Sequence, residues 1–216
     1  MNKIRTLFFR MQNLIAKNLF MTVRIKTRQK EVFLTFDDGP EEGIAPFILS
    51  ELGRHGFLAT FFCRGDNAAR YPDLLQQLVA AGHSIGNHTF CHIHAYDTSA
   101  REYVEDIERA EALLHTGIAR PPFGSIRFSQ LVRLRRHYRL VYWSLDSGDS
   151  RREINDPNLL VEKLCRSTRP GDIVLFHCCK QHEANTRAIL PRYLDWLSSH
   201  GFRSCPIPDG RDNLPD

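Results

Sequence analysis

Several clusters of polar and ionisable residues carry types and spacings suited to hydrolytic chemistry. Adjacent carboxylates, Asp37 and Asp38, precede Gly39-Pro40. On a regular strand neighbouring side chains point to opposite faces, so the two act together only where the chain is leaving the strand, and Gly39-Pro40 is a turn signal at that point. A solvated turn with helix-capping acids is the alternative reading. His88 and His92, four apart, can present two imidazoles to one metal ion from a helical turn or a tight loop. In a chain with ten histidines, a chance pair of structural histidines is the competing account. Cys91, between them, is a further conceivable ligand. Arg120-Pro121-Pro122-Phe123-Gly124, Asp146-Ser147-Gly148-Asp149 and Leu175-Phe176-His177 each read singly as a Pro-fixed loop, a capping acid and a core histidine.

Such chemistry needs elements that bring distant positions together. From residue 31 onward, apolar runs at 31–36, 58–62, 83–86, 140–145 and 172–176, with a last candidate at 202–207, read as strands. Residues 99–114 place Tyr103, Val104, Ile107, Ala110 and Leu114 on one helical face, and Ile189, Leu190, Tyr193, Leu194 and Leu197 do the same in a final helix. Weaker helical patterns fall at 44–54, 72–81 and 157–166. Alternating β and α elements predict one α/β domain with a mainly parallel sheet and helices outside. The pattern leaves open whether the sheet closes into a barrel, but in either case functional residues belong at strand ends. The polar clusters lie there, which assembles one pocket with the parts of a metal hydrolase.

Taken in order, Thr35-Phe36-Asp37-Asp38-Gly39-Pro40, His88-Thr89-Phe90-Cys91-His92, Arg120-Pro121-Pro122-Phe123-Gly124, the Asp146/Asp149 segment and Leu175-Phe176-His177 resemble the motifs of the polysaccharide deacetylase family, carbohydrate esterase family 4 (the NodB homology domain). Ala59-Thr60-Phe61-Phe62 and Gly82-His83-Ser84-Ile85-Gly86-Asn87 are similar to it as well, so the likeness spans residues 31–208. The resemblance implies a distorted (β/α) barrel and metal-dependent removal of the N-acetyl group from an amino sugar of the N-acetylglucosamine type. By the same resemblance Asp38, His88 and His92 would bind a divalent metal. Zinc suits that donor set, as do cobalt, nickel and iron. Asp37 would be the general base and His177 the general acid. Asp149 would be the carboxylate partner of His177, and Arg120 would pair with Asp37 to keep it ionised and aimed. A backbone N–H near Phe123 would meet the oxyanion. Three departures from the family stand out. Ser150 occupies a position usually held by Trp. The segment 116–119 before Arg120 is short. Cys178 and Cys179 follow His177 where Asp is frequent; they read as packing thiols, with a redox or inhibitory metal role as the alternative.

Composition bounds the rest. With 216 residues, 42% hydrophobic and 25% charged, the chain is long enough for one sizeable core, and disordered or fibrous classes are excluded. The net charge of +4 is unevenly distributed. Residues 1–30 hold eight basic and no acidic residues, leaving 21 basic against 25 acidic in the remainder. The expected organisation is a basic amphipathic segment at 1–30, an acidic catalytic domain at 31–208 and a tail at 209–216, with no footing for nucleic acid. Ile4, Leu7, Phe8, Met11, Leu14, Ile15 and Leu19 share one face of a predicted helix over 3–20. That helix either packs on the domain or lies as a peripheral element in an anionic membrane interface. No stretch reads as a membrane-spanning helix or a signal peptide. Cys63, Cys91, Cys165, Cys178, Cys179 and Cys205 fit no compact disulfide framework, so the expected compartment is the cytoplasm. Three functions compete: the N-deacetylase, a cytoplasmic deacetylase or deformylase of a lipid- or nucleotide-linked amino sugar, and a catalytically inactive carbohydrate-binding domain. The last would need a lost base, ligand or acid, and Asp37, Asp38, His88, His92 and His177 are all present.

Overall fold

The sequence Glu-Val-Phe-Leu-Thr-Phe-Asp forms β1 (Glu31–Asp37), and all but its first residue are buried. A strand apolar on both faces belongs at the centre of a parallel sheet covered on both sides. In the computed structural model, which describes residues 19–152, 154 and 156–209, β1 holds that place. The other strands are β2 (Thr60–Cys63), β3 (Ser84–Asn87), β4 (Ile118–Ala119), β5 (Arg139–Leu140), β6 (Leu145–Asp146), β7 (Ile173–His177) and β8 (Arg203–Ser204). Their order is β5-β4-β3-β2-β1-β7-β6, every pairing is parallel, and β8 pairs with the start of β1. The outer strands β5 and β6 do not pair with each other, so the curled sheet is an open, distorted (β/α) barrel.

Helices cover it: α1 (Ile44–His55), α2 (Gly65–Arg70), α3 (Pro72–Ala80), α4 (Ala100–Leu114), α5 (Phe128–Leu134), α6 (Pro157–Ser167) and α7 (Glu183–Ser199). α4 begins where its sequence says it must. The Ser99 hydroxyl accepts from the Glu102 N–H at 3.2 Å, and the Glu102 carboxylate accepts from the Ser99 N–H at 2.8 Å. Such a capping box satisfies two otherwise orphaned donors, and its Ser side contributes about 0.5–2 kcal/mol. Tyr103, Ile107, Ala110 and Leu114 of α4 are buried, as are Ile189, Leu190, Tyr193, Leu194 and Leu197 of α7.

The apolar run 140–145 is not one strand. Leu140 ends β5 on β4, Leu145 starts β6 on β7, and between them Tyr142 and Trp143 stack on each other at 3.9 Å. The run is apolar because it crosses the open side of the barrel, not because one strand spans it. β4, α2 and the seven-residue α5 are too short to announce themselves by period.

The predicted helix over 3–20 lies outside the described residues except for Leu19 and Phe20, which are helical. The chain that follows packs on the domain. Met21 is buried, Thr22 bridges Val141, and Arg24 pairs with Asp172 at 2.7 Å. The change of charge at residue 30 is therefore not a change of packing. Of the tail, Asp209 accepts from the Gly117 N–H at 2.8 Å, and residues 210–216 lie outside the description. Among the described residues no helix is long and apolar enough to cross a membrane.

Candidate active site

The C-terminal ends of the strands deliver the polar clusters to one cavity of roughly 440 Å³. Asp37 ends β1 and His177 ends β7, and the register of the two strands pairs them directly. Asp38 has φ 75°, so the chain turns out of the strand at Asp38 itself, one residue before the predicted Gly39-Pro40 turn. That left-handed residue is what brings two successive carboxylates into the same cavity. Gly39 is confined for another reason: a Cβ there would sit 2.8 Å from the Cys178 Sγ.

His88 follows β3 and His92 sits in the loop beyond it, also at positive φ (55°). The pair thus comes from a tight loop and not from a helical turn. His92 Nε2 lies 3.1 Å and His88 Nε2 3.7 Å from Asp38 Oδ1, and one ligand atom from each of the three residues falls within 4.8 Å of the others. His88 Nδ1 is 2.7 Å from the Arg120 carbonyl oxygen and donates to it, which leaves the Nε2 lone pair facing Asp38. Burial pushes His88 down to about 3 and also lowers His92, in both cases against the pull of Asp38, so both rings are neutral at pH 7. Asp38 Oδ1 is buried and has no hydrogen-bond partner in the protein. A buried carboxylate oxygen left unsatisfied is costly unless a cation meets it. Two neutral imidazoles and one orphaned carboxylate oxygen are the donor set of a divalent metal with open positions, so these residues fit the group. Cys91 takes no part: it is exposed, and its N–H donates to Asp106.

On the other side of the cavity, Arg120 is fully buried after β4. Its guanidinium donates to Asp37 Oδ1 at 2.7 Å, to Thr35 Oγ1 at 2.8 Å and to the Tyr142 carbonyl at 3.0 Å, and it lies over the Phe62 ring. Arg120 pulls Asp37 towards ionisation as expected, but burial outweighs it and the Asp37 carboxyl is raised above its usual value. His177 Nδ1 is 2.8 Å from Asp149 Oδ1, and Asp149 Oδ2 accepts from the His177 N–H and from the Thr186 hydroxyl. Burial pulls His177 down, but the Asp149 hydrogen bond and charge, with Asp37 and Asp38 beyond, override it and raise it to about 9.

Phe123 closes the rim at φ 58°, with its ring 4.6 Å from that of His92. All eight residues singled out from the sequence therefore meet in or directly against this cavity. Sequence reasoning missed Trp143, Gln181 and His182, which also line it. Trp143 could have been noticed only as half of a Tyr-Trp pair stacked beside Gly124, where a Cβ would meet Tyr142 at 2.6 Å. Ser150 does line the cavity, so that stretch of wall has no ring. Cys178 is wholly buried and Cys179 nearly so, and burial raises both thiols.

Residues 24–137 match the sequence model of polysaccharide deacetylase. A peptidoglycan-N-acetylglucosamine deacetylase of Bacillus cereus is 32% identical over 186 residues, covering 82% of this chain and 67% of that protein. A chitooligosaccharide deacetylase of Azorhizobium caulinodans is 32% identical over 209 residues, 88% of this chain and 99% of that one. Among solved structures, a peptidoglycan N-acetylglucosamine deacetylase in complex with a naphthyl-substituted N-oxidanyl-benzamide superposes with a TM-score of 0.82 at 28% identity, covering 90% of this chain and 94% of the other. A carbohydrate esterase family 4 pseudoenzyme from Bacillus anthracis is also similar, with a TM-score of 0.74 at 25% identity and coverage of 90% and 68%. On sequence and on fold alike, the chain belongs to the polysaccharide deacetylase family, carbohydrate esterase family 4.

Proposed function

We propose that the chain is a metal-dependent hydrolase that removes the N-acetyl group from an N-acetylglucosamine-type unit. The observation that carries this reading is a metal-donor set with an unsatisfied Asp38 oxygen in the same cavity as a carboxylate and an imidazole on paired strand positions. The N-hydroxyamide bound by a solved relative supports it, because such a group chelates metals through two oxygens.

Asp38, His88 and His92 would hold the ion, zinc being our choice for two imidazoles and one carboxylate. When bound, it supplies a Lewis acid that lowers the pKa of water towards about 7 and polarises the acetamide carbonyl. Asp37, anchored at Oδ1 by Arg120, offers Oδ2 to take the proton of the attacking water. Its raised proton affinity suits a base that must accept and then release a proton. A backbone N–H near Phe123, which lines the cavity, would meet the oxyanion that forms on attack. His177 gives its Nε2 proton to the departing amine while Asp149 holds Nδ1.

Among the described residues that line the cavity none is Lys or Arg, which favours a neutral sugar unit there over a phosphate of a nucleotide or lipid carrier. An inactive binding domain is disfavoured by the complete set of Asp37, Asp38, His88, His92 and His177. The test is acetate and formate release from chitooligosaccharides, peptidoglycan fragments and nucleotide- and lipid-linked amino sugars, with zinc or cobalt loaded. Acetate release that a chelator abolishes is expected. Formate in its place would transfer the reading to a deformylase, and no release from any substrate by metal-loaded protein would overturn it.

A further inference from the structure

Residues 112–145 contain six arginines and no Asp or Glu, a cationic block that whole-domain charge conceals. Arg120 serves the cavity, and Arg139 donates to the Thr22 hydroxyl. Arg133, Arg135 and Arg136 are exposed, and none makes an ion pair within 4.0 Å among the described residues. Glu108 and Glu111 of α4 share a cavity with Arg133 and Arg136 on one flank of α5, whereas Arg135 lies over the Phe20 ring at 5.2 Å.

The cations sit beside projecting apolar groups. Phe128 and Val132 project from α5 on the side away from the buried Gln130 and Leu134, and the exposed Arg135 and Arg136 follow directly at the helix C-terminus. Phe128 is 53% and Val132 36% exposed; Leu19, where the described chain begins, is 70% exposed, and the Phe20 ring meets Phe128 edge-on at 6.5 Å. In sequence, the 18 residues before Leu19 add Lys3, Arg5, Arg10 and Lys17 with no acid.

We propose that this face, built from Leu19, Phe20, Phe128, Val132, Arg135 and Arg136, docks the protein on a bilayer surface carrying anionic lipid. Projecting aromatic and aliphatic tips reach the acyl boundary while arginines beside them keep their heads among the phosphates. A second copy of the chain is a poor occupant, because Arg135 and Arg136 make no ion pair among the described residues and would face their own copies. Nothing here depends on which sugar the cavity accepts.

Co-sedimentation of the full chain with phosphatidylcholine vesicles, with and without phosphatidylserine, tests it. Binding should require phosphatidylserine and weaken with added salt. Arg135→Glu with Arg136→Glu should lower the affinity at least about tenfold, since each cation near such a surface contributes measurably. Phe128→Ser is the second variant, lowering the affinity without a change of charge. Both sites are exposed, so melting temperature should stay unchanged. Equal partition with and without phosphatidylserine, or full binding by both variants, would overturn the proposal. So would concentration-dependent self-association that the same variants abolish.

Discussion

The two sides of the cavity contain buried or half-buried histidines with opposite electrostatics. His88 and His92 are pushed down, His88 to about 3, whereas His177 is raised to about 9. Burial acts in the same direction on all three. His177 differs because Asp149, fully buried, grips both its ring and its backbone N–H. His88 spends its Nδ1 on a neutral carbonyl, and Asp38 does not offset the burial. A carboxylate that hydrogen-bonds the imidazole favours its charged form, and one that merely lies nearby does not compensate the loss of water. One side is thereby prepared to give lone pairs and the other to give a proton.

This contrast breaks most severely at His177. His177→Gln keeps a polar side chain but no titratable proton donor, and acetate release should fall about 10²–10⁴-fold, the usual span of acid–base catalysis, with metal content unchanged. Loss of metal in that variant would mean that the two sides are not separate. A smaller effect is expected from Asp149→Asn, which removes the charge that raises His177. The catalytically required form is the protonated one, so activity persists below the His177 pKa and is lost as pH rises through it. The alkaline limb, near 9 in the parent, should move towards lower pH in the variant, together with about a 10–100-fold loss typical of orienting partners. An unmoved limb would assign the raised pKa to Asp37 and Asp38 instead.

The same two sides differ in how far the sequence revealed them. Asp37, Asp38, His88 and His92 lie in contiguous motifs, and their strands β1 and β3 were placed within one residue at either end. The acid side was harder. Asp149 and His177 are 28 residues apart, and what joins them is β6, two residues long, hidden in an apolar run that also serves a stacked Tyr142-Trp143 pair. A two-residue strand has no period to detect, and its pairing with β7 is purely tertiary. The positive φ of Asp38 was equally invisible, because Asp-Gly-Pro favours a turn without saying at which residue it begins. The cationic stretch at the end of α5 was missed because charge was summed over the whole domain.

The division of labour between Asp37 and the metal-donor set is tested most directly by measuring bound zinc and acetate release side by side in Asp37→Asn and His92→Ala. Asp37→Asn should retain the parent's stoichiometry of zinc and lose turnover about 10²–10⁴-fold, as expected for a missing general base, whereas His92→Ala should lose zinc and activity together. An Asp37→Asn protein that fails to bind zinc, or a His92→Ala protein that keeps both zinc and activity, would contradict it.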